Sequence, residues 1–479
     1  MRLLFCCEFY FPSVGGVQEV MRQIAERLVM QGHDVTVATT RLAERNFSAH
    51  KGVKIVEFGI TGNTVRGIHG EVERYLEFVT AFDGDAIMIK AAQQWTFDAL
   101  WPVLDQIRVR KVFIPCGFSG LYEPSYTEYF KALPDVLRQF DHLIFYAERY
   151  RDIDFAREHR LAPCTILPNG ASEIEFLVPK DPDFRRRHGI PEESFVFLTV
   201  GSMTGVKGHK EIAEAFARLR SDRRHVTLIL NGNPPPAPAV MITEGPRAGA
   251  QFVESSGTKR VLAFIGRRIR RVAGLAWRSI SVLRREGLPG VRSRISALAV
   301  AQLEDIGRLQ WVPRNWRKSA DPIGYWTERA GGQANKYVLK VDLGRQELVQ
   351  AYMNADLFVF ASNIEYSPLV LFEATAGGTP FLSVPVGNAE EIARWTGGGF
   401  ICPAPKDERG YTRADPQQFA AEMKRLMDEP EALSEVGRVA REQWMKQFTW
   451  ARIAERYESI LRGSEAEHRL DSTAERSVT

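Results

Sequence analysis

The chain has 479 residues, 44% of them hydrophobic and 25% charged, with a formal net charge of +4. That balance excludes wholesale disorder, and at about 150 residues per domain the length implies two or three domains. The 38 glycines and 25 prolines follow no fixed period, which excludes collagen-like and low-complexity chains.

The N-terminal stretch Met1–Phe11 is apolar but contains Glu8. It lacks the basic, apolar and small-residue zones of a secretory signal, and reads as a strand buried on both faces. The loop Phe11-Pro-Ser-Val-Gly-Gly-Val17 follows. Val20, Ile24 and Leu28 then share one face of a helix predicted over Gln18–Met30, and Asp34–Ala38 reads as the next strand. Strand, Gly-Gly turn, helix, strand is a βαβ unit. Further apolar strands are predicted at Lys54–Phe58, Ala86–Ile89, Val112–Pro115, His142–Tyr146 and Thr165–Leu167. The alternation predicts a doubly wound sheet over roughly the first 175 residues.

The pattern restarts after Pro179. Phe195–Val200 and Val226–Leu230 are predicted strands around a glycine-bearing loop, Gly201–Gly208, and a helix, Glu211–Leu219. Leu357–Phe360, Phe381–Val384 and Phe400–Cys402 continue the series. A second doubly wound domain is therefore expected, with a break near Leu177–Asp183 and a ligand cleft between the two domains. Between Asn231 and Val338 lies a stretch far longer than a loop of such a unit needs. No run of about 18 apolar residues marks a bilayer-spanning helix.

The five cysteines, Cys6, Cys7, Cys116, Cys164 and Cys402, are odd in number and form no Cys-x-x-Cys pair. They argue against a disulfide framework or zinc site and fit a reducing cytosol. The block Glu365-Tyr-Ser-Pro-Leu-Val-Leu-Phe-Glu373, followed by Ala374-Thr-Ala-Gly-Gly-Thr-Pro380, carries the strongest chemical signal. Its first carboxylate falls in a loop and its second in a helix, so the pair reaches opposite ends of one ligand. The backbone at Ser367, Pro368 and Leu369 would meet a phosphate at the positive end of that helix.

This block resembles the E-x7-E donor motif of the retaining GT-B glycosyltransferases, and of glycosyltransferase family 4 within them. Tyr10-Phe-Pro-Ser-Val-Gly-Gly-Val17 resembles their first loop, and Leu167-Pro-Asn-Gly170 the strand end before their interdomain linker. Phe448-Thr-Trp-Ala-Arg-Ile-Ala454 resembles their last helix, which crosses back onto the first domain. The resemblance covers about 1–232 and 338–462. It implies an α/β chain of the GT-B kind: two Rossmann-like domains facing across a cleft, with a basic helical insert in the second. The implied units are an acceptor domain, 1–177, completed by the helix 449–462, and a donor domain, 178–448, containing the insert 234–336. The tail 463–479 is expected to be disordered.

Roles follow from the same resemblance. Glu365 would bind hydroxyls of the donor sugar and Glu373 the ribose of the nucleotide. Lys207 would pair with the diphosphate, where departing charge accumulates. Gly15 and Gly16 would let backbone come close to phosphate or sugar. Ser202 stands on the donor loop where family members often carry Arg. Many members also place a His near the reacting carbon. Here the acceptor side offers Gln93 and Cys116, neither an obvious base. Retention by front-side attack tolerates that, because a leaving phosphate oxygen takes the acceptor proton. The donor would be a UDP-, GDP- or dTDP-linked hexose or deoxyhexose, with no cofactor and no metal. The acceptor would be a growing bacterial surface polysaccharide, free or lipid-linked.

Other chemistries lack their spacing. Gly201–Gly208 is no Gly-x4-Gly-Lys-Ser/Thr loop and Gly15-Gly16 no dinucleotide fingerprint. Asp83-Gly-Asp85 precedes its strand and reads as a turn, not a metal motif. No Gly-x-Ser-x-Gly elbow occurs. The rival readings are a GT-B nucleotide-sugar epimerase, told apart by its free product, and a non-catalytic GT-B-like scaffold binding glycan or lipid. The Glu365/Glu373 pair disfavours the scaffold; the missing His and Arg favour it.

The insert has its own pattern. From Lys259 to Arg294 there are eleven Lys or Arg against one acid, Glu286. Leu262, Ile265, Ile269, Val272, Ala276, Ile280 and Leu283 form an apolar helical stripe. Arg267, Arg268, Arg270, Arg271 and Arg278 flank it. Such a helix fits an anionic membrane surface and a location at the inner face of the cell membrane. The competing reading is a helix packed on its own domain. No nucleic-acid module accompanies the charge.

Overall fold

The computed structural model describes residues 1–161, 163–232, 318 and 321–464. Two sheets dominate it. The first contains β1 (Arg2–Cys6), β2 (Asp34–Thr40), β3 (Ala49–His50) and β4 (Val53–Phe58). A separate two-stranded ribbon, β5 (Ile60–Asn63) with β6 (Gly67–Gly70), interrupts the series. The first sheet resumes with β7 (Ala86–Lys90), β8 (Arg110–Ile114), β9 (His142–Phe145) and β10 (Cys164–Ile166). Its order is β10-β9-β8-β7-β1-β2-β4-β3, parallel except for β3 at the edge.

The second sheet contains β11 (Phe195–Val200), β12 (Val226–Asn231), β13 (Lys336–Val341), β14 (Leu357–Phe360), β15 (Phe381–Ser383) and β16 (Gly399–Ile401). It is wholly parallel, in the order β13-β12-β11-β14-β15-β16. The continuous apolar runs explain these strands. Leu3, Leu4, Phe5 and Cys6 are all buried, because helices cover both faces of the sheet.

The helix Gly16–Met30 begins two residues before its predicted start and packs Val20, Met21, Ile24 and Leu28 under β1 and β2. The last helix, Trp450–Arg462, is capped by the Thr449 hydroxyl, which accepts from the Arg452 amide at 3.3 Å. Its Trp450, Ile453, Tyr457, Ile460 and Leu461 lie in the same core as Leu3 and Phe5, so the chain's end is packed on its beginning. Gly463 and Ser464, placed by sequence in a disordered tail, close this helix through bonds to the carbonyls of Ile460 and Ser459.

The packed second domain reaches further back than the insert boundary at 336 allows. Pro322–Gly331 is a helix capped by Asp321, which accepts from the Gly324 amide at 2.8 Å. It lies against the helix His209–Arg218. Lys336, at the start of β13, is buried and donates to the carbonyls of Phe216, Ala217 and Leu219 at 2.8, 3.1 and 2.6 Å. A lysine there satisfies the last carbonyls of a helix, which an apolar pattern does not reveal. The amphipathic basic stretch, with Arg267, Arg268, Arg270, Arg271 and Arg278, lies outside the described residues, as do 465–479. Among the described residues no helix is long and apolar enough to cross a membrane.

Candidate active site

Each sheet reverses its strand order once: the first between β1 and β7, the second between β11 and β14. Loops leaving neighbouring strands at such a point run to opposite faces and leave a crevice beyond the carboxyl ends. The residues singled out by sequence fall in these loops. Gly15 and Gly16 follow β1 and Gln93 follows β7; Ser202 and Lys207 follow β11; Glu365 to Leu369 follow β14.

In the second domain the two loops are stitched together. The Asn363 amide and the Ser362 hydroxyl donate to the Val206 carbonyl at 2.8 and 3.2 Å. Gly208 holds φ +75° at the start of the helix His209–Arg218, and a Cβ there would run into the Ala361 backbone. Only glycine permits that approach at that φ. The approach brings Lys207 Nζ to 2.6 Å from Glu365 Oε1, which also accepts from the Ser362 hydroxyl at 2.9 Å. Both charged groups keep some exposure, 30% for Lys207 and 15% for Glu365. The pair is therefore desolvated on one side and open on the other. Ser202 opens the loop, its carbonyl accepting from the Thr204 amide. Behind Gly201 lies His209, buried, whose burial lowers it to about 4, so its imidazole is neutral.

The helix Leu369–Gly377 starts next to this pair, with Pro368 at its cap. Proline has no amide hydrogen, so the phosphate contact expected of the Ser367–Leu369 backbone falls to the Ser367 and Leu369 amides alone. The Ser367 hydroxyl is buried without a hydrogen-bond partner. One turn on, the Glu373 carboxylate is 2.7 Å from Arg345, which also donates to Glu175 at 2.7 Å. Nothing in the sequence flagged Arg345, because it lies far from both carboxylates along the chain.

The first domain's half is built differently. Gly15 and Gly16 begin the helix Gly16–Met30. A Cβ on Gly16 would meet nothing within 4 Å, and one on Gly15 only the Gln18 side chain. Neither glycine is forced by the protein's own packing. Gln93 is held through its oxygen by the loop after β8: its Oε1 accepts from the Ser119 hydroxyl at 3.2 Å and the Gly120 amide at 3.1 Å. Burial pushes the Cys116 thiol up, which rules out a thiolate base there at neutral pH. Ala91, Gln93, Cys116 and Phe118 all have positive φ, four of the seven such non-glycine residues described. Strain of this kind gathers at functional loops. Lys90, at the end of β7, is fully buried with Nζ unpartnered, 5.1 Å from the Tyr146 ring centroid; burial lowers it to about 8. Asp83 and Asp85 hold Arg2 at the start of β1, away from both crevices.

Comparison with known proteins bears on the second half directly. Residues 325–443 match the family Glycosyl transferases group 1. The chain carries that domain on a GT-B fold. Glycogen synthase of Mycobacterium tuberculosis is 30% identical over 122 residues, 26% of this chain. That stretch spans only 27% of the synthase's length. Sucrose-phosphate synthase from Thermosynechococcus elongatus superposes with a TM-score of 0.58 at 16% identity, covering 96% of this chain and 98% of its own. HepE of Anabaena, in complex with UDP and glucose, gives 0.59 at 13% identity, over 97% of this chain and all of its own. WaaG, a glycosyltransferase involved in lipopolysaccharide biosynthesis, gives 0.53 at 16% identity, over 96% of this chain and all of its own. At such identities the likeness is one of fold.

Proposed function

We propose that this GT-B chain is a retaining glycosyltransferase moving a hexose or deoxyhexose from a nucleotide sugar to a surface-polysaccharide acceptor, lipid-linked or free. The observation that carries this reading is the half-open Lys207–Glu365 pair beside the N-terminus of the helix Leu369–Gly377. A diphosphate arriving at the helix start meets Lys207 and the Ser367 and Leu369 amides. A sugar on it presents hydroxyls to Glu365. Glu373, oriented by Arg345, takes the ribose hydroxyls.

In transfer the bond between the sugar's anomeric carbon and the phosphate oxygen breaks. The acceptor oxygen forms its bond on the same face, and its proton passes to the leaving phosphate. Charge builds on that phosphate, so a fixed ammonium and two amides stabilise the transition state more than the ground state. No step calls on a metal. Among the described residues no group of three His, Cys, Asp or Glu comes together as a ligand set. The UDP in HepE makes UDP the first nucleotide to try. The acceptor class rests on the resemblance and on WaaG, and the membrane location on the sequence of the basic stretch.

The test is thermal stability against UDP, GDP, ADP, dTDP and CMP. A ligand of the native state stabilises by about 2.7 kcal/mol at a hundred times its dissociation constant. One nucleotide should raise the melting temperature, and Glu373→Ala should abolish the rise. No shift with any of them removes the donor site.

A further inference from the structure

Glu365 is not held by its own domain alone. The next residue, Tyr366, sends its side chain out of the second domain into the first. Its hydroxyl accepts from the Tyr146 amide at 3.0 Å and lies in the electrostatic reach of the buried Asp152 carboxylate. Its ring lies 4.6 Å from that of Tyr150 and 5.5 Å from that of Tyr146, centroid to centroid. Gly117 leaves the room: a Cβ there would come within 3.2 Å of the Tyr366 ring. In return the first domain grips the donor loop, because the Tyr150 hydroxyl donates to the Glu365 carbonyl at 2.8 Å.

The surroundings make this a socket. The Asn388 side-chain amide donates to the Tyr146 carbonyl at 2.8 Å, and its backbone amide donates to the Tyr366 carbonyl at 2.9 Å. The Glu391 carboxylate accepts the amides of Glu148 and Arg149 at 2.7 and 2.9 Å. Tyr366 is thus the one side chain of this contact that shares a peptide bond with Glu365. A rotation of the second domain away from the first must withdraw Tyr366, and that withdrawal moves the Glu365 backbone.

We propose that Tyr366 is a positioning residue that makes the sugar contact of Glu365 depend on docking of the two domains. This rests on the reading of Glu365 as the donor-sugar carboxylate. The nucleotide site at Glu373 and the helix start also touches the first domain, through Glu175 on Arg345 and through Asn169, which donates to the Ser367 carbonyl at 3.3 Å, but none of these contacts runs through the Tyr366 side chain. Nucleotide binding therefore does not need the Tyr366 hydroxyl, while the sugar is aligned only when Tyr366 is docked. Coupling alignment to docking keeps the activated donor from reacting with water before the acceptor domain is in place.

The experiment measures turnover of the nucleotide sugar that the chain uses, UDP-glucose first, in the whole protein. The variants are Tyr366→Phe, Tyr150→Phe, Glu365→Ala and Tyr366→Phe with Glu365→Ala. Tyr366→Phe keeps the ring and loses the hydroxyl bond to the Tyr146 amide. Its kcat should fall by about tenfold with UDP affinity unchanged, the split expected when only alignment is lost. Tyr150→Phe should act the same way more weakly. The double variant should be no worse than Glu365→Ala, since residues acting through one group are not additive. Three results overturn the inference and leave the donor site standing: full activity of Tyr366→Phe, an additive loss in the double variant, or loss of UDP binding together with heat stability. Full activity of Glu365→Ala removes the donor-site reading itself, and the role of Tyr366 with it.

Discussion

The two crevice loops of the second domain and the two of the first occupy the same topological position yet are made in opposite ways. In the second, charge is gathered: Lys207 against Glu365, Arg345 against Glu373, and a helix start between them. In the first, charge is hidden: Lys90 is sealed under Tyr146, and the Gln93 side-chain oxygen is held by the loop after β8. Under the proposed function the second half meets a nucleoside diphosphate, which needs a fixed cation and free amides, so that half must carry ionic residues at set spacings.

The comparison breaks most sharply in activity. Lys207→Ala and Glu365→Ala should each lower turnover tenfold or more while the melting temperature stays near wild type, as expected for one lost transition-state contact. Gln93→Ala should not, and an equal loss there would place charge chemistry in the first domain too. Glycine scanning comes next. Gly208→Ala meets both a positive φ and the Ala361 backbone, so it should cost on the order of 3 kcal/mol in urea unfolding, while Gly16→Ala should cost little or nothing.

Buried charge gives smaller effects. The Lys90 ammonium is disfavoured in the fold, so its contribution to stability is present above its unfolded value and is lost as pH falls through about 8. Lys90→Met should therefore stabilise the chain at pH 7 by roughly 1–3 kcal/mol, and the gain should shrink toward pH 10. Asp152 has the opposite sign. Burial raises its carboxyl to about 6, so the stability that it adds in protonated form is lost as pH rises from about 4 to about 6. The stability of wild type relative to Asp152→Asn should fall across that window, by at most about 3 kcal/mol. A flat difference would mean that Asp152 is solvated and that the domains are apart in solution.

Legibility followed the same division. Every strand predicted from an apolar run is present, the first ending at Cys6 and the others lying within two residues of their expected bounds, and the residues singled out at Lys207 and Glu365 lie side by side. The boundary at Lys336 was misplaced because its buried ammonium answers to helix carbonyls, a need that appears only when β13 lies beside the helix His209–Arg218. Arg345, Tyr366 and Asp152 gave no signal for a related reason. An arginine, a tyrosine and an aspartate are ordinary residues until two distant segments meet.

The sequence by itself determined the α/β rhythm, the two doubly wound sheets and the charged loops of the second half, because hydrophobic period and ionic spacing act over a few residues. Tertiary structure alone decided that Arg345 joins Glu373 to Glu175, that Gly208 presses Lys207 onto Glu365, and that Tyr366 ties the loop after β14 to Tyr146. Those contacts bridge up to 220 positions of chain, and a local pattern carries no record of them.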